Sequence, residues 1–66
     1  MELFDLNYFI PYEGENTLTD LTIEEVHIWL GENYDESESA VITPSDVIKY
    51  DKYSFRVKYP EVKKVI

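Results

Sequence analysis

Few residues in this chain have the types and spacing that chemistry needs. There is one histidine, His27, and no cysteine. The four serines, Ser37, Ser39, Ser45 and Ser54, fall outside any G-x-S-x-G elbow. Gly14 and Gly31 stand alone, so no glycine-rich loop is available to cradle a phosphate. Carboxylates are plentiful, fourteen in all, which makes any single pair uninformative. Glu24 and Glu25 are explained by helix capping, and a glycosidase pair needs a cleft that so short a chain has little room for. One stretch deserves a test as a metal site. Asp35-Glu36-Ser37-Glu38-Ser39 has the outline of a calcium loop, with Asp46 in the twelfth position. The sixth position is Ala40 where that loop takes glycine, the twelfth is Asp rather than Glu, and no second helix follows. The stretch reads as a solvated acidic loop. No catalytic residue, metal or cofactor is expected, and the chain reads as a non-enzyme.

What stands out is how charge is distributed. Residues 1–48 hold twelve acids and no lysine or arginine, a local charge of −12. All six bases, Lys49, Lys52, Arg56, Lys58, Lys63 and Lys64, lie between residues 49 and 64, against Asp51 and Glu61. A net charge of −8 on 66 residues can keep a chain unfolded. Ten aromatics and many Ile, Val and Leu residues in periodic order argue for folding. One small domain spans 1–66, and the core of a domain this size rarely supplies more than about 3–5 kcal/mol. Without cysteine, a signal-peptide pattern or a long apolar run, the sequence suggests a cytoplasmic protein away from membranes.

The elements that must position these groups are few. Phe4, Leu6, Tyr8, Ile10 and Tyr12 alternate, which predicts a strand ending near Pro11; Phe9 is out of phase. Residues 13–20 read as a polar connector. Thr22-Ile23-Glu24-Glu25 is a capping box, with Leu21 and Val26 placed as a hydrophobic staple. The helix that follows should dock through Ile23, Val26 and Leu30, with His27 on or beside that face. Trp29 should lie at its border and Ile28 should point away, with a stop near Gly31 that frays toward Asn33. Residues 31–39 form the most acidic loop. Ala40–Ile42 could form an extra short strand; a turn at Thr43–Asp46 and a strand at Val47–Tyr50 are preferred to a short helix. An Asp51-Lys52 turn would then lead into the clearest strand pattern, Tyr53 to Tyr59, ended by Pro60. Tyr53, Phe55, Val57 and Tyr59 share one face of that strand. The expected fold is α+β: a small antiparallel sheet, β-α-β-β, with one short helix packed on one face.

Surface is therefore the main functional resource. Glu24, Glu25, Glu32, Asp35, Glu36 and Glu38 are expected on one side with Trp29 and Tyr34 among them. Aromatics ringed by charge are typical interface anchors. A field of this sign speeds association with a basic partner. Nucleic-acid-binding proteins are the commonest owners of such basic surfaces, whereas direct nucleic-acid binding is disfavoured by the net charge. Lys49, Arg56 and Lys58 read as neutralising the protein's own acids. In size, charge and lack of catalytic equipment the chain is similar to acidic inhibitor proteins of phages and mobile elements, DNA mimics included. That likeness implies an inhibitor-style docking module and carries over no site residue. The competing expectation is a structural or assembly subunit acting as a homodimer, through a strand edge or the Ile28/Trp29 side of the helix.

Overall fold

A computed structural model describes residues 2–35, 38–43, 46–54 and 56–66. Six elements follow in order: strands β1 (Phe4–Ile10) and β2 (Gly14–Leu21), helix α1 (Ile23–Asn33), and strands β3 (Ala40–Thr43), β4 (Val47–Tyr50) and β5 (Lys58–Lys64). The five strands make one antiparallel sheet in the order β2-β1-β5-β4-β3. The fold is thus α+β, with one helix on an antiparallel sheet. Its element order is β-β-α-β-β-β rather than β-α-β-β. The basic stretch does supply the central strand, but as β5.

The additional strand is β2, where a polar connector was expected. The chain turns back at Pro11-Tyr12: the Glu13 amide donates to the Ile10 carbonyl at 3.0 Å, and Ile10 pairs with Gly14. Proline at the first central position and a φ of 79° at Tyr12 define a type II turn. In β2 the apolar residues Leu18 and Leu21 are three apart, which hides the period of two. The register with β1 steps by one between Phe4 and Leu6, and Asp20 sits at φ 57°. This bulge absorbs one residue, so Leu18 and Leu21 both reach the inner face, opposite Leu6 and Phe4.

The strand expected over Tyr53–Tyr59 does not form. The Ser54 hydroxyl donates to the Asn33 carbonyl at 2.7 Å and accepts from the Arg56 and Val57 amides, each at 3.2 Å. These local bonds tie Ser54 to Arg56 and Val57 and satisfy a carbonyl at the end of α1. The reversal therefore lies there and not at Asp51-Lys52. Val57 is buried, Tyr53 and Tyr59 are exposed, and Phe55 lies outside the described residues. Pro60 does not end the strand; it is buried inside β5. A second bulge explains this. Tyr59 is at φ 48°, the register with β1 steps between Asn7 and Phe9, and the ladder with β4 reaches only Lys49 opposite Glu61. No registered pair calls on the amide that proline lacks.

β3 and β4 form a hairpin from Ala40 opposite Tyr50 to Thr43 opposite Val47, which makes Ala40–Thr43 a strand. The core is Leu6, Val26, Leu30, Tyr34, Val57 and Val62, with Phe4, Tyr8, Leu18, Leu21, Trp29 and Tyr50 packed around it. α1 packs on β1 and β2, so it covers one half of the sheet's inner face. No helix among the described residues is long and apolar enough to cross a membrane.

Candidate protein interface

The acidic flank is held in place by the start of α1. Thr22 accepts from the Glu25 amide at 3.2 Å, and the Thr22 amide donates to Glu25 Oε1 at 2.9 Å, so both halves of the capping box are present. A cap of this kind stabilises a helix by about 1 kcal/mol. Val26 and Leu30 are buried and set the helix rotation. Ile23, expected to dock with them, is 47% exposed in the first turn. His27 is also exposed and lies away from the apolar face. Gly31 does not stop the helix, which continues to Asn33. The outward side carries Glu24, Ile28 and Glu32, each about one helical turn after the last.

Between α1 and β2 runs a groove of about 260 Å³, lined by Leu18, Leu21, Glu25, Ile28, Trp29 and Glu32. Its walls are apolar and two carboxylates stand on its rim. Trp29 is half-buried and packs against Tyr8, ring centroids 4.6 Å apart at 47°. Trp29 is thereby a fixed part of the groove and not a freely projecting anchor. Residues 14–33, which form β2 and α1, contain Glu15, Asp20, Glu24, Glu25 and Glu32 and no lysine or arginine. Glu32 has a further peculiarity. It lies in the last turn of α1, where no base is present. A carboxylate at that end of the helix dipole is disfavoured by roughly 0.3–1 kcal/mol.

The structure brings Glu24, Glu25, Trp29 and Glu32 together on α1 and gives Tyr34 and Glu38 other roles. Tyr34 is not a surface anchor; it is 2% exposed and belongs to the core, edge-on to Tyr50 at 5.4 Å. The helix rotation that buries Leu30 carries Tyr34 inward with it. Its hydroxyl is buried with no hydrogen bond among the described residues. Burial raises its pKa; the Lys52 amide opposes this without reaching good bonding geometry, and the charges of Glu38 and Asp51 add to the rise. Asp35 is exposed just past the helix. Glu38 is engaged by Lys52 at 3.1 Å. Glu36 lies outside the described residues.

Two lysines of the sheet are paired with carboxylates. Lys49 meets Glu61 at 3.3 Å, and Lys64 meets Glu2 at 2.7 Å. The hydrogen bond and the charge of Lys64 lower the pKa of Glu2, and Glu2 raises that of Lys64 in return. Among the described residues no three His, Asp or Glu side chains cluster as metal ligands would.

A larger concavity, about 480 Å³, lies on the open face and includes Phe9, Val41, Lys49, Tyr59 and Glu61. Lys49 and Glu61 pair with each other within it, and Glu15 and Asp51 also line it. Sequence reasoning missed it, although Phe9, out of phase with the apolar face of β1, was its one visible signal. Comparison with protein-family models, with curated proteins and with solved structures finds no match for this chain.

Proposed function

We propose that this protein is a small non-enzymatic binding module that docks its α1/β2 flank on a basic protein surface. The surface is of the kind that nucleic-acid-binding proteins present to phosphates, and the action is that of an inhibitor or DNA mimic. One observation carries this reading: an apolar groove rimmed by Glu25 and Glu32, within a twenty-residue stretch without a base. The groove suits one apolar side chain with lysine or arginine on either side of it. Glu32 supports the reading independently, since it sits where the helix dipole disfavours it and the last turn of α1 holds no base. A carboxylate placed for folding alone would gain more at the other end of the helix. Glu38, neutralised by Lys52, contributes little to the field.

The test reverses Glu24 and Glu32 to lysine and leaves the capping residue Glu25 intact. Wild-type protein, immobilised, should capture a basic nucleic-acid-binding protein at low salt and release it to high salt or to duplex DNA. The Glu24→Lys/Glu32→Lys variant should lose that capture while its thermal midpoint stays level or rises. Capture undiminished by the double reversal, or indifferent to duplex DNA, places the contact elsewhere.

A further inference from the structure

The sheet ends in β3, Ala40-Val41-Ile42-Thr43, four residues with no charge, proline or glycine. It pairs with β4 in unbroken register on one side and stands at the sheet edge on the other. An edge of this kind presents unpaired backbone groups that template another strand. Both faces of the edge are apolar and exposed: Val41 is 44% exposed on the open face and Ile42 is 78% exposed on the inner face. Ile42 stands opposite Ile48, and the two, with Phe4, line a hollow of about 270 Å³ that Asp46 and Lys64 also border. α1 packs on β1 and β2 and leaves this hollow uncovered.

Charge identifies the occupant. Around this half of the sheet Lys52 is paired with Glu38, Lys49 with Glu61 and Lys64 with Glu2. Residues 38–66 as a whole set six bases against Glu38, Asp46, Asp51 and Glu61, so this half has no surplus negative charge to hold a basic partner. A second copy offers an edge of the same uncharged, apolar character. Elsewhere two copies repel, since each carries −8 overall and a base-free flank on β2 and α1.

We propose that β3 pairs antiparallel with β3 of a second copy, about a two-fold axis perpendicular to the sheet. The sheet then runs through both copies, and the two acidic flanks lie at its far ends. Such an axis keeps the two open faces on one side, so a residue on it faces itself. Ile42 against Ile42 joins the two hollows into one apolar surface. The β2 edge, with Glu15 and the bulge at Asp20, offers no second site of this kind, so association closes at two. Four residues make few hydrogen bonds, and the dimer is correspondingly concentration-dependent.

Sedimentation equilibrium of the full chain over a concentration series tests this. The wild type should pass from monomer to dimer, and Ile42→Lys should stay monomeric with an unchanged circular dichroism spectrum. Val41→Lys repeats the test from the opposite face and serves if Ile42→Lys fails to fold. Because the chain has no cysteine, Ile42→Cys provides a single thiol that should oxidise to a cross-linked dimer, whereas Thr19→Cys on the β2 edge should not. A wild type that stays monomeric throughout, assembles beyond two, or dimerises equally well in the folded lysine variants overturns the proposal. So does a monomer that instead takes up a strand from another protein. The Glu24→Lys/Glu32→Lys variant should still dimerise and Ile42→Lys should still capture a basic protein, so the two readings fail separately.

Discussion

β2 closes one side of the sheet with eight residues, a carboxylate at Glu15, a bulge at Asp20 and a helix across its inner face. β3 closes the other side with four uncharged residues, and its inner-face Ile42 is 78% exposed. Charge and bulging are the usual devices that keep an edge from pairing. The first edge has both; the second relies on its short length. The contrast follows from one short helix, which covers only the strands nearest to it. A sheet of five strands under an eleven-residue helix leaves apolar side chains of the far strands in water.

The comparison breaks most completely if α1 is loosened. Leu30→Ala removes a fully buried side chain and should cost about 2–5 kcal/mol, comparable to the whole stability of so small a domain. A drop in the urea midpoint large enough to leave part of the chain unfolded in buffer is the expected result. A midpoint near that of the wild type would mean the helix does not hold the covered half together.

Two milder changes move the helix in opposite directions without touching β3. Thr22→Ala should lower stability by about 1 kcal/mol through loss of the cap. Gly31→Ala should raise it by roughly 0.5–1 kcal/mol, because Gly31 is helical, exposed and has open space where a Cβ would lie. Thermal melts of the pair read both; equal midpoints would remove α1 as the element that distinguishes the two sides.

Tyr34→Phe probes the junction between the halves. The Tyr34 hydroxyl is buried without a hydrogen-bond partner among the described residues, so its removal should be neutral or stabilising by up to about 1 kcal/mol. It should also change the alkaline limb. Burial raises the Tyr34 pKa, so the folded state holds the proton more tightly than the unfolded chain. Stability is then unaffected below the ordinary tyrosine range, about pH 10, and declines as pH rises above it. The phenylalanine variant should lose that share of the decline in a denaturant titration across pH; an unchanged slope would assign the decline to other groups.

The smallest effect expected is at the rim of the uncovered hollow. Lys64 lowers the pKa of Glu2, so the pair contributes above the ordinary carboxylate range and is lost as pH falls through the lowered value. Both groups are solvated, so Glu2→Gln should flatten the acid limb only slightly, and less at high salt. A large acid-side change would show the pair to be more than a surface contact.

Local chemistry is what the sequence alone determined. The capping box at Thr22 and Glu25, the strand of Phe4 to Ile10, the strand of Val47 to Tyr50 and the lack of bases before Lys49 were all legible. Each rests on neighbours within a turn of helix or along a strand. The elements the sequence hid depend on partners far along the chain. The period of β2 appears only once the bulge at Asp20 sets Leu18 and Leu21 against β1. Pro60 is tolerated inside β5 only because Tyr59 bulges beside it. Ser54 breaks the most regular strand pattern because Asn33, from the end of α1, offers its hydroxyl a carbonyl. The same holds for the site. Glu24 and Glu25 were placed by the capping box alone, whereas the extension of α1 that carries Glu32, the burial of Tyr34 and the capture of Glu38 by Lys52 needed the folded chain. A spacing rule specifies which side chains share a face. Which face meets which, and what is left uncovered, is decided by packing between elements that no local pattern records.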